Sequence, residues 1–282
     1  MKCVFQSGII LVKGRSKELK RVLSIHRRRS SKLFGLAVLV TILFSVSVIS
    51  YFLIIHFTGS RSVIEENFDD GSGHVVIKAA LIDPLSVLHP NMEFTEAVNR
   101  TLREAGFEVD IFQGDVVTVD FLKRFDGGYQ LVVLRMHSAL SSRNELYLFT
   151  AEAYSTDKYV EEQHHRLVKE AYATEGGQSV FAVNWGFIKR LMTDKFENSL
   201  VLAMGCDSIV DGVMVQEFMN QGAVGYVGWN GPVLLSHSDQ AFIHLIHVLY
   251  VEDLDLEEAV KKANSEVGAD AHWRTLLECL AG

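Results

Sequence analysis

The sequence predicts an α/β domain built on a mostly parallel central sheet, preceded by one transmembrane helix. Residues 129–136 (YQLVVLRM) and 199–205 (SLVLAMG) are short apolar runs of strand formers, as expected for strands covered on both faces. From residue 75 onward strand, helix and strand alternate, an order that implies parallel pairing. Residues 33–57 contain no Asp, Glu, Lys or Arg and exceed the ~20 residues needed to span a bilayer.

The segment before that stretch contains Lys2, Lys13, Arg15, Lys17, Lys20, Arg21, Arg27, Arg28, Arg29 and Lys32 against the single acid Glu18. A basic flank is retained on the cytoplasmic side, so the chain reads as a single-pass membrane protein with its amino terminus inside and its main domain extracytoplasmic. A cleaved signal peptide would have a shorter apolar core and a small-residue cleavage site, whereas here Phe57-Thr58-Gly59-Ser60 follows a long run. The expected organisation is a basic cytoplasmic segment at 1–32, a signal-anchor helix at 33–57, a polar, glycine-bearing linker at 58–73 and one α/β domain at 74–282.

Within that domain a first strand is expected at 75–83. A helix follows at 91–106, where Phe94, Val98 and Leu102 recur every four residues, and then a second strand at 107–112. A short helix at 119–125 leads to the strand before His137. Residues 145–154 read as a strand or hairpin, 158–172 as a polar amphipathic helix and 178–183 as a short strand, with a helical stretch through Met192. After the strand before Cys206 come a helix at 211–220, a strand at 223–229 and helices at 236–251 and 256–265.

Removing the ten basic residues and one acidic residue before position 33 from the chain's totals of 27 and 35 leaves 17 against 34. With histidine neutral, residues 58–282 thus carry a net charge of about 17 negative. Such a domain lacks the Lys and Arg clusters that phosphate binding needs, which excludes nucleic acid as a partner. Solubility explains the excess; basic peptide segments are the partners it would favour.

The chemistry-bearing residues are His137 and Cys206, each directly after an apolar strand. Ligands in open α/β sheets bind outside the carboxyl ends of the strands, so a thiol and an imidazole delivered there match a nucleophile and its general base. A helix amino terminus or an imidazolium lowers a thiol's pKa. Ser208-Ile209-Val210-Asp211 has the form of a capping box before the apolar residues Val213, Met214 and Phe218, which would aim N–H groups toward Cys206. Taken singly, Cys206 reads as a core thiol and His137 as a strand-end histidine; their ordered pairing is what suggests catalysis. In an oxidising exterior Cys206 and Cys279 are also candidates to pair, which would remove the nucleophile.

The order of His137, the Gly205-Cys206-Asp207-Ser208 segment and the later run 218–229 (FMNQGAVGYVGW) resembles the caspase-like superfamily of cysteine peptidases, and within it the separase and CHAT-domain branch. The helix at 254–263 (LDLEEAVKKA) is similar to that branch's closing helix, and the resemblance covers about residues 75–267. It implies a three-layer α/β/α fold and peptide-bond cleavage of a peptide or protein substrate by Cys206 and His137 without a cofactor. It also implies an oxyanion hole made by the backbone N–H groups of Ser138 and Cys206. The family usually has glycine where this chain has Ser138, and a side chain there restricts the backbone. By the same resemblance Asp83, at the end of the first strand, and Asp207 are candidate substrate-binding carboxylates that would favour cleavage after a basic residue. Turn capping is the alternative role for each. Trp229, with Asn230 and Ser236, is a candidate pocket wall, with core packing as its alternative. A non-catalytic ectodomain of the same fold that binds a peptide or protein is the competing function.

No metal site is expected. His164 and His165 are adjacent on a helix and point about 100° apart, while His244 and His247 share a face without a carboxylate or thiol at ligand spacing. Neither phosphate-loop signature, GxxxxGK[ST] or GxGxxG, occurs.

Overall fold

The computed structural model describes residues 76–174 and 177–282. The basic segment, the expected transmembrane helix at 33–57 and the linker lie outside them; among the described residues no helix is long and apolar enough to cross a membrane.

The domain is α/β with a six-stranded, mostly parallel sheet. Five parallel strands, β1 (Ile77–Asp83), β2 (Phe107–Gln113), β3 (Leu131–Leu134), β8 (Leu200–Ala203) and β9 (Gly225–Trp229), lie in the order β2-β1-β3-β8-β9. A last strand, β10 (Leu277–Ala281), pairs antiparallel with β9. The strand order reverses between β1 and β3, and a reversal of this kind opens a crevice at the carboxyl ends of the strands.

Both faces of the sheet are covered, which explains the unbroken apolar runs. Ala79, Leu81, Leu131, Val133, Leu202 and Val227 pack with residues of α1 (Met92–Glu104), α6 (Leu235–Tyr250) and α7 (Leu256–Val267). The alternate residues Ala80, Ile82, Val132, Leu134, Val201 and Ala203 face α2 (Val119–Arg124), α4 (Trp185–Leu191) and α5 (Gly212–Asn220). The helix expected at 91–106 is α1. Its N-cap is Asn91, whose side chain accepts from the Phe94 N–H at 3.0 Å, and its predicted stripe of Phe94, Val98 and Leu102 is buried.

A second sheet, wholly antiparallel, has the order β4-β5-β7-β6, with β4 Ser138–Leu140, β5 Leu146–Ala153, β6 Val168–Tyr172 and β7 Ser179–Val183. It corrects the helix expected at 158–172. Only α3, Val160–His164, is helical, and Arg166 then takes a left-handed φ of 57° that ends it. The following residues pair with β7: Val168 packs into the main core, while Ala171, on the opposite face, packs with Tyr147, Phe149 and Ala182. The charge-rich sequence satisfies a helical pattern, but long-range strand pairing overrides it. The strands β4 and β10 were not expected; each buries too few apolar residues to stand out.

One buried charge cluster joins the crevice walls. Arg135, 1% exposed, follows β3 and donates from Nη1 to Asp83 at the end of β1 (2.9 Å). It also donates from Nε and Nη2 to both carboxylate oxygens of Asp239 on α6 (2.8 and 2.9 Å), and from Nη2 to the His89 carbonyl (3.1 Å). Asp239 in turn accepts from Asn91 Nδ2 at 2.8 Å, which reaches the cap of α1. Removing one member of a buried pair strands the others, so Arg135→Met is expected to cost about 3–5 kcal/mol, roughly 10 °C in Tm. Arg135→Lys should recover only part of this, because an ammonium does not reproduce the bidentate fork. Thermal unfolding of the full chain in detergent checks both, and unchanged melting in Arg135→Met would show that the cluster contributes nothing.

Candidate functional site

The strands β3 and β8 are parallel neighbours, with Leu131 opposite Leu200 and Leu134 opposite Ala203. The same register, continued three residues past the last pair, sets His137 level with Cys206. The Met204 N–H still bonds the Leu134 carbonyl at 3.0 Å, so the two segments stay together beyond the strand ends. Neighbouring strands lie about 4.8 Å apart, and both side chains line one cavity of about 240 Å³ at this edge.

His137 stands where the chain leaves the main sheet for the second one. Its carbonyl accepts from the Phe149 N–H at 2.9 Å, which starts the pairing of β4 with β5. The imidazole lies edge-on to His89 (ring centroids 5.8 Å apart) and to Phe149 (6.3 Å). Its Nε2 is buried without a hydrogen-bond partner, an uncommon state for a polar atom. Burial, reinforced by the charges of His89 and Arg135, holds its pKa below that of a free histidine, so the ring is neutral near pH 7.

The Cys206 sulfur is held by the backbone of Val233, whose N–H donates to it at 3.4 Å and whose carbonyl accepts from it at 3.6 Å. Burial pushes the thiol pKa up; the Val233 N–H opposes this, while Asp207 and Asp270 reinforce it. The resting pair is a neutral thiol and a neutral imidazole. Cys206 and Cys279 are both free. The helix after Cys206 starts only at Gly212 and is capped by Asp211, whose Oδ1 accepts from the Val213 N–H at 3.0 Å while Oδ2 accepts from the Leu146 N–H at 2.8 Å. Ser208 is not part of that cap. Its hydroxyl donates to the Ala203 carbonyl and accepts from the Trp229 N–H, both at 2.9 Å, which corrects the capping-box expectation.

Ser138 occupies the position where the resemblance anticipates glycine, and it has a structural task there. Its hydroxyl donates to the Cys206 carbonyl at 2.5 Å, tying the two strand ends together. Gly205 permits this approach: a Cβ there would lie 2.2 Å from Ser138 Oγ and 2.7 Å from the Met136 carbonyl oxygen. Because His137 and Phe149 are the hydrogen-bonded pair of the β4–β5 ladder, Ser138 opposite Leu148 falls in the non-bonded position, with its N–H turned away from β5.

The three candidate substrate-binding residues are not brought together. Asp83 is fully buried against Arg135 and has no face toward the cavity, so it cannot meet a substrate cation. Trp229 is 1% exposed, with its indole N–H donating to Ser238 Oγ at 2.9 Å and its ring packed on Phe242; it is core, not pocket wall. Asn230 pairs with Leu276 and Glu278 to hold β10, and Ser236 is exposed on α6. Asp207 is half-buried outside the cavity with a strained left-handed φ of 56°, and burial pushes its carboxyl pKa up. His89 and the Val233 backbone were missed; a loop histidine between Leu88 and Pro90 carries no sequence signal. No protein-family model and no curated protein matches this chain.

With its pKa raised, Cys206 should be alkylated by iodoacetamide more slowly at pH 7 than an exposed cysteine, with a midpoint above ~8.5. Mass spectrometry of the alkylated peptide across pH reads this, and a midpoint under ~7 would reveal a resting thiolate–imidazolium pair instead.

Proposed function

We propose that residues 74–282 form a caspase-like domain, of three-layer α/β/α build, that works as a cysteine peptidase outside the cytoplasm, anchored through residues 33–57. The observation that carries the reading is the shared cavity: the Cys206 thiol and the His137 imidazole emerge in equivalent register from adjacent parallel strands and line the same space. A neutral imidazole beside a neutral thiol suits general-base activation. As Sγ attacks the scissile carbonyl carbon, His137 takes the thiol proton; it then gives that proton to the departing amine, leaving an acyl thioester. Water, deprotonated by His137, attacks the thioester and releases the carboxylic acid and the thiol. The N–H groups of Ser138 and Cys206 are the donors offered to the intermediate's oxygen, the former turned away from its sheet neighbour.

A second reading has its own support. The thiol's hydrogen bonds go to Val233, and His137 Nε2 has no partner, so no Cys–His hydrogen bond exists in the resting site. This favours a domain that keeps the crevice to bind a peptide without cutting it. A peptidyl acyloxymethyl ketone separates the two, because its carbon accepts only an activated thiolate. For a peptidase, labelling should vanish in Cys206→Ala and fall about 10²–10⁴-fold in His137→Ala. Labelling that persists in Cys206→Ala, or is indifferent to His137, supports the binding domain.

Ser138→Gly tests the clamp. It removes the hydrogen bond to the Cys206 carbonyl and loosens the backbone, and is expected to lower the labelling rate about tenfold by misplacing the nucleophile, with Tm reduced by a few degrees. An equal or faster rate would show that the hydroxyl contributes nothing to positioning.

A further inference from the structure

The cavity around the thiol has no charged wall. Leu85, Met136, Phe149, Met204, Val233 and Leu235 line it beside the neutral polar side chains of His137, Ser138, Tyr172 and Cys206, and no Asp, Glu, Lys or Arg is among the lining residues. At about 240 Å³ it is smaller than the ~300 Å³ at which pockets for drug-sized ligands begin, so it has room for one side chain with its main chain. A larger adjoining cavity of about 550 Å³ shares Leu85, His137, Phe149 and Ala173 with this one; of its carboxylates, Glu152 is paired with Lys158 and Tyr159 and Asp115 is exposed. Asp83 is buried on Arg135, and Asp270, fully enclosed, accepts from the backbone N–H groups of Leu234, His272 and Trp273. Asp207 lies outside the cavity. A lysine or arginine side chain entering would lose its hydration and meet no counter-charge.

We infer, resting on the peptidase reading above, that the residue supplying the scissile carbonyl is apolar and of leucine, methionine or phenylalanine size. Geometry makes this residue the one that reads the cavity. Its carbonyl carbon must bond to Sγ, which sets its own side chain among the walls that surround the sulfur. The two methionines suit the role, since unbranched, polarisable thioethers adapt to different apolar shapes. Selection is therefore by desolvation: an apolar side chain releases water from apolar walls, while a charged one gives up its water without compensation. The preference for basic residues expected from Asp83 is replaced by its opposite.

The test uses two acyloxymethyl ketones that differ only in the residue bearing the ketone, leucine in one and lysine in the other, applied to the full chain. The leucine reagent should label Cys206 faster by roughly 30-fold or more. In Leu235→Glu a carboxylate is added to the wall at the first residue of α6, where an acid also suits the helix amino terminus, and the gap should narrow at least threefold. Equal or faster labelling by the lysine reagent overturns the apolar preference and leaves the peptidase reading standing. Failure of both reagents to label Cys206, in protein whose thiol still takes up iodoacetamide, overturns the peptidase reading and this inference with it.

Discussion

The geometry of the crevice rests on one buried guanidinium. Arg135 sits two residues before His137 and engages Asp83, Asp239 and the His89 carbonyl together, so the ends of β1 and β3, the helix α6 and the loop at residue 89 are fixed to one another. A lone charge in an interior is costly; two carboxylates and a carbonyl offset that cost only if all of them stay in place. The arrangement thus specifies position more than it adds stability. His89, held through its carbonyl, lies against the imidazole that would act as base, so the cluster reaches the site through this contact as well as through the Arg135 charge.

A second constraint is the close approach of the two strand ends. Gly205 leaves no space for a Cβ, and into that absence fits the Ser138 hydroxyl that holds the Cys206 carbonyl. The hydrogen bonding of β4 with β5 begins at His137, only three residues after β3 ends, so the chain passes from one sheet to the other within a short stretch of backbone. Such a junction leaves little freedom to the backbone on either side of the imidazole. Electrostatically the site is quiet: burial lowers the imidazole's pKa, raises the thiol's, and leaves both neutral. Substrate entry, which expels water and brings the carbonyl to the sulfur, is the step that would bring base and nucleophile into use.

The strands β1, β2, β3, β8 and β9 and the helices α1, α5, α6 and α7 were legible because their apolar spacing matches their local geometry, as with Phe94, Val98 and Leu102. The segment at 158–172 was not. Its charged residues fit a helix face, and only pairing with β7 makes it partly strand. Asp83 and Trp229 were misplaced for a related reason: a strand-end carboxylate and an indole look alike in sequence whether they face a crevice or a core. One signal was available. Arg135 interrupts an otherwise apolar run, and a charge in a strand buried on both faces requires acids nearby; Asp83, at the end of the adjoining strand, was the obvious partner.

The sequence by itself determined the α/β alternation, the apolar strands and the delivery of His137 and Cys206 to strand ends, because these follow from local periodicity. The tertiary structure alone decided that β3 and β8 are neighbours in a register that sets those residues level, and that Arg135 consumes Asp83. It also decided that the cavity beside the thiol is lined without carboxylates. Those facts depend on contacts between residues 50 to 150 positions apart, whose pairing is chosen by the packing of the whole domain and leaves no periodic trace along the chain.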